Sequence, residues 1–250
     1  MSGARRVPAS GGGHRAVPWW AAGLPLLAMA AWSSWLVAGP FSDLSPWHSW
    51  TSELGAQDQP HAWFVRAGDV LAGALMVLWV GLVARRGGLR RDLRGLGVVA
   101  AGVFGAATVA DALLPMACAS TVDAACLAAE QAGTLPWTHT AHSVSSSVAG
   151  TALGVAAAAL SLAALRRGRP GARVLLVLVG VMLATLGWQL ACLAPGAARV
   201  GEVLTVPGLA QRVQLLGTVA WWVVFAVGTG WGAGRWWVED DRAGGGPGQG

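Results

Sequence analysis

The sequence predicts an all-α, polytopic transmembrane bundle of six helices with both termini in the cytoplasm. Six apolar stretches each approach the roughly 20 residues needed to cross about 30 Å of hydrocarbon. Only 12% of the 250 residues are charged and 54% are hydrophobic, whereas soluble domains carry about 25% charge. Of 17 arginines, all but Arg66, Arg199 and Arg212 lie in the N-terminal tail, in alternate connections or in the C-terminal tail. Retention of cationic segments on the side of synthesis produces that alternation.

The expected membrane domain covers 18–238, between a Gly/Ser/Arg-rich tail at 1–17 and a second tail at 239–250. Both tails have too little apolar surface to fold and are expected to be disordered. The first span, 18–39, follows Arg5, Arg6 and Arg15. Its apolar run is longer than a signal-peptide core, so it reads as a retained helix. The second, 67–84, is short, but 62–66 continues its helical pattern back toward Trp63. The others are 96–115, 141–165, 172–194 and 213–234. Lipid offers no partner to backbone polar groups, so each span has to be helical.

Arg85, Arg86, Arg90, Arg91 and Arg94 follow the second span; Arg166, Arg167, Arg169 and Arg173 follow the fourth; Arg235 and Arg242 follow the sixth. These short clusters flank apolar spans and do not line one polar face. They read as topology signals that favour anionic head groups, and the basic balance does not imply nucleic acid. The alternate connections, 40–66, 116–140 and 195–212, carry Asp43, Glu53, Asp58, Asp123, Glu130 and Glu202. Trp19, Trp20, Trp236 and Trp237 suit a cytoplasmic aromatic belt, and Trp47, Trp50, Trp63 and Trp137 an outer one. The expected location is the plasma membrane, with the bilayer as the first partner. Small residues four apart, at Gly150/Gly154, Gly228/Gly232, Gly230/Gly234 and Ala101/Gly105, are candidates for close helix approach.

Cys118 and Cys126 share the second outer connection, where an oxidising space would join them as a disulfide. Cys192 reads as a buried apolar residue. Ionisable groups within or beside a membrane are costly and call for a reason. Here they gather toward the outer side: Ser52 and Glu53 in the first loop, Arg66 and Asp69 opening the second span, and Asp111 ending the third. His139, His142, Ser145 and Ser146 open the fourth span, Gln189 lies late in the fifth, and Arg212 precedes the sixth. His139 and His142 share a helix face that Ser146 extends. Asp111 meets that face if the third and fourth helices pack together. Such a group can join helices, with Asp111 paired to Arg212 or Arg66. It can also hold a divalent metal through Asp111, His139 and His142, or perform acid–base chemistry with Ser52 or Ser146 assisting. Arg66 and Asp69, three apart, can form a local ion pair.

Ser52-Glu53-Leu54-Gly55 followed by Arg66-Ala-Gly-Asp69 resembles the family of bacterial and archaeal membrane proteins called domain of unknown function 998. So do Asp111-Ala-Leu-Leu-Pro115, the cysteine pair, His139/His142 with Ser146, and Gly208-Leu-Ala-Gln211-Arg212. The likeness covers about 25–235. It implies six spans and no established activity. An acidic residue often stands in that family where Gln211 stands here, a departure that argues against an ion-pair or catalytic role at this position.

Three functions compete. The first is a non-enzymatic membrane protein whose outer cluster joins helices or receives a lipid or protein partner. The second is a membrane-embedded, metal-dependent lipid hydrolase. The third is a small transporter, for which charges near the bilayer middle are expected; the third to sixth spans carry none at their centres.

Overall fold

Backbone pairing within each segment dominates the architecture, and no strand occurs among the described residues. The computed structural model describes residues 19–87, 89–193 and 206–228. The expected tails, Trp236, Trp237, Gly230, Gly232, Gly234 and most of the 195–212 connection lie outside them.

Six helical segments are long and apolar enough to cross a membrane: Gly23–Phe41, Ala62–Arg86, Leu93–Leu113, Trp137–Arg166, Ala172–Leu193 and Pro207–Val227. The first is broken. Helix α1 (Gly23–Trp32) ends where the Ser33 hydroxyl donates to the Met29 carbonyl at 2.8 Å, and a short α2 (Trp35–Ala38) resumes beyond Ser34. A hydroxyl that bonds back to its own helix bends the ladder. Neighbouring Gly68 permits the close approach, since a Cβ there would lie 2.6 Å from Ser34 Oγ and 2.7 Å from the Ala31 carbonyl.

Helix α3 (Ala62–Gly87) takes in the pattern before residue 67. Helix α4 (Leu93–Leu113) starts at Asp92, whose carboxylate accepts from the amides of Arg94 and Gly95, both at 3.0 Å. Such a cap satisfies amides that have no partner within the helix. A short helix α5 (Ala124–Gln131), capped by Asp123, lies in the 116–140 connection, where the sequence predicts no helix. Helix α6 (Trp137–Arg166) has 30 residues, about 45 Å, longer than a hydrocarbon core of about 30 Å. Helix α7 is Ala172–Leu193. Helix α8 (Pro207–Gly228) begins earlier than the apolar pattern suggested, with Pro207 at the first position, where its missing N–H costs no hydrogen bond.

The spans form a ring in chain order: α1 packs on α3, then α4, α6, α7 and α8, which returns to α1. Aromatic residues fill the centre. Trp79, Trp221 and Trp222 are fully buried, and Trp222 meets Trp79, Trp221 and Phe225 edge-to-face at centroid distances of 5.7, 5.0 and 5.8 Å. Trp221 Nε1 donates to Ser161 Oγ at 2.9 Å, giving the indole N–H the partner that burial demands. By contrast Trp47, Trp63 and Trp137 are exposed at the end opposite the arginines. Of the small-residue pairs, Ala101/Gly105 marks a real close approach: a Cβ at Gly105 would sit 2.8 Å from the Gly73 carbonyl. Gly150 and Gly154 face open space.

Candidate functional site

Two polar assemblies occupy the end of the bundle away from the arginine clusters. The first lies between α4 and α6. Antiparallel packing of these helices brings Asp111, near the end of α4, beside the opening turns of α6. Asp111 Oδ1 accepts from Ser145 Oγ at 2.6 Å and Ser146 Oγ at 2.8 Å, and lies 3.3 Å from His142 Nδ1. His142 Nδ1 also lies 3.2 Å from the Asp111 carbonyl. The Nε2 atom of His142 is buried and has no hydrogen-bond partner among the described residues. Asp69, on α3, is within electrostatic reach of Asp111.

The expected face of Asp111, His142 and Ser146 is therefore assembled, with Ser145 beside it. His139 is turned to another task. Its Nδ1 accepts the Ala117 amide at 3.2 Å, and its Nε2 lies 3.6 Å from Glu130 on α5. Asp111, His139 and His142 thus do not converge as a ligand set, and no group of three or more such side chains among the described residues is arranged to hold a metal. Neither arginine pairs with Asp111. Arg66 Nε donates to the Ala112 carbonyl at 2.8 Å, which also replaces the expected Arg66–Asp69 pair. Arg212 Nη1 donates to the carbonyls of Pro46 and Ser49, both at 2.9 Å.

The second assembly is a layer of loops capping the bundle. Glu53, on the 3-10 turn Thr51–Gly55, is fully enclosed. Its carboxylate accepts the amides of Trp50 and Thr121, both at 2.9 Å, and the Thr121 hydroxyl. Thr121 in turn bonds Ser49 Oγ at 2.9 Å. Asp58 Oδ2 accepts the Ala119 amide at 3.0 Å, and the Gln57 amide donates to the Met116 carbonyl at 2.9 Å. The 40–66 and 116–140 connections are thereby stitched together. The third joins through α8: Gln211 Oε1 accepts the Thr51 amide, so a neutral oxygen performs the acceptor role there. Gly208 is required at this junction, because a Cβ would lie 2.3 Å from the Ser49 carbonyl. Ser52, half-buried beside Glu53, belongs to this layer and not to the Asp111 centre.

Cys118 and Cys126 are joined, with Cα atoms 6.1 Å apart, closing the start of α5 onto the layer. Replacing both by Ser is expected to lower stability by about 2–3 kcal/mol, read as a fall in Tm that reductant reproduces in the wild type. A Tm unchanged by both treatments would contradict a stabilising role. Burial pushes the Glu53 carboxyl above its ordinary value of 4.5; the hydrogen bonds from Thr121 and Trp50 oppose the shift, and the nearby Glu130 charge adds to it. A raised folded value means the folded state binds the proton more tightly. Glu53 therefore contributes its full stability below about 4.5 and loses it as pH rises through the folded value. Thermal unfolding of the wild type minus that of Glu53→Gln is expected to fall with rising pH across that window; a flat difference would contradict the assignment.

Gln189 Nε2 donates to Gln214 Oε1 at 2.6 Å, tying α7 to α8. A groove of about 600 Å³ runs along the exposed side of α6, lined by residues including Thr140, Ser143, Ser147 and Val103. It contains no member of the Asp111 centre. Sequence reasoning missed Thr121 and Gln214, neither of which carries a charge or a motif. Only the buried acid and amide facing them would have drawn attention to them.

A family model described as a protein of unknown function (DUF998) matches residues 8–228. No curated protein and no solved structure matches the chain.

Proposed function

The chain belongs to the DUF998 family, and from that premise we propose that it is a non-catalytic integral membrane protein whose outer end receives a lipid or protein partner. In this reading it lies in the plasma membrane with both termini and the arginine clusters in the cytoplasm. The Asp111 centre locks α4 to α6, and the disulfide-closed loop layer forms the outward surface. The observation that carries the reading is the engagement of Asp111 Oδ1 by two hydroxyls, with an imidazole nitrogen alongside, all from α6. Groups that satisfy one another in this way hold helices together.

Hydrogen bonds between membrane helices average about 0.6 kcal/mol each. Asp111→Ala is therefore expected to lower stability by about 2 kcal/mol, and Asp111→Asn, which keeps an acceptor, by about 1 kcal/mol. The purified wild type is expected to contain no stoichiometric metal. Unchanged stability in both variants, or metal that disappears with His142→Ala, would overturn the structural reading.

One observation favours a lipid hydrolase as a second reading. His142 has Nδ1 against a carboxylate and an unengaged Nε2, the disposition of an oriented general base. Both serines of the centre face Asp111, so a water would have to serve as the nucleophile at Nε2. Lipid hydrolysis abolished by His142→Gln at unchanged Tm would establish that reading over the first.

A further inference from the structure

The opposite end of the molecule is built as deliberately as the loop layer. A Cβ at Gly97 would lie 2.5 Å from the Leu160 side chain, so the first turn of α4 lies against the last turns of α6. This register places the α3–α4 and α6–α7 connections side by side. Arg85, Arg86, Arg90, Arg91, Arg166, Arg167, Arg169 and Arg173 thus share one end of the bundle. Asp92 is the one carboxylate among the described residues of these two connections, and it is occupied. It caps α4 and accepts from Arg90 Nε at 3.2 Å and Arg94 Nε at 3.4 Å. Arg94 is 1% exposed and belongs to the interior.

Arg91, Arg166 and Arg173 are exposed. Exposed apolar residues lie close to each in the chain: Leu89 and Leu96 on either side of Arg91, Leu165 before Arg166, and Val174 after Arg173. A guanidinium at the edge of an apolar helix surface matches a ligand with an anionic head and an attached acyl chain. Free phosphate would leave the apolar flank unused, and nucleic acid would leave it exposed to water.

We propose that the paired α3–α4 and α6–α7 connections form a binding surface for anionic phospholipids, with Arg91, Arg166 and Arg173 on the head groups and the adjacent Leu and Val side chains against the acyl chains. The proposal is independent of the role assigned to Asp111. It makes the bundle's stability depend on the charge of the surrounding lipid, because head groups bridging the two hairpins hold α4 and α6 together at the end remote from the Asp111 centre.

The test titrates the full-length protein in neutral detergent with phosphatidylglycerol, phosphatidylcholine or inorganic phosphate and reads Tm. Phosphatidylglycerol is expected to raise Tm in a saturable way that high salt abolishes, while phosphatidylcholine and inorganic phosphate leave it unchanged. Each neutralised arginine is expected to weaken the apparent lipid affinity about fivefold, as measured in Arg91→Gln, Arg166→Gln and Arg173→Gln. The matching Lys variants retain most of it. An equal rise with phosphatidylcholine, a rise with phosphate alone, or Gln variants of wild-type affinity would each overturn the proposal. Should a Gln variant fail to insert, the wild-type salt titration decides: a shift that persists in high salt overturns it.

Discussion

Glu53→Ala is expected to destabilise the protein by on the order of 3–5 kcal/mol. The substitution removes the fully enclosed acceptor of the Trp50 and Thr121 amides and leaves the Thr121 hydroxyl with Ser49 Oγ alone. Each buried donor left unmade costs roughly 1–3 kcal/mol. Because Thr121 belongs to the disulfide-bearing connection, the loss also frees the loop layer from the first connection. Two measurements check this: Tm of the purified variant, and protease cleavage within 116–131, expected to accelerate while the transmembrane helices stay intact. A cost below about 1 kcal/mol would show that the layer is held by something other than this carboxylate.

Trp222→Ala is expected to cost about 3 kcal/mol. The reasoning differs from that for a soluble core. Removing an indole in a membrane forfeits little transfer energy, because lipid is as apolar as the protein interior. What remains is the cavity, at about 24 cal/mol per Å³, and the lost edge-to-face contacts with Trp79, Trp221 and Phe225. Trp222→Phe leaves a smaller void and is expected to cost about 1 kcal/mol. Tm in detergent checks both. Equal stability of the Ala and Phe variants would mean that the centre collapses around the gap and that the aromatic cluster is not a close-packed core.

These two residues show where sequence reading stops. Glu53 drew attention as an acid in an outer loop, yet nothing marked Thr121, 68 positions away, as its partner. Trp222 sits in an apolar run among 15 tryptophans, and composition alone cannot separate an interior indole from one at the head groups. Arg94 counted with its neighbours as a topology signal, but it is buried against its own helix cap. The break at Ser33–Ser34 was hidden because hydropathy is indifferent to a hydroxyl that bends the backbone. His139 and His142 looked equivalent by spacing. The structure parts them, one to Ala117 and Glu130, the other to Asp111.

The amino-acid sequence alone determined six helices long and apolar enough to cross a membrane, and the grouping of arginines in the connections between alternate helices. It also brought into view the helix face of His142 and Ser146. All of these follow from local rules: apolar length against bilayer thickness, cation retention, and the 3.6-residue turn. Tertiary structure decided the ring order of the helices, the meeting of Asp111 with that face, and the closure of the loop layer on Glu53. Those depend on backbones approaching across glycines such as Gly73, Gly97 and Gly105, between residues far apart in the chain. No periodicity within one segment encodes which other segment will fill the space a missing side chain leaves.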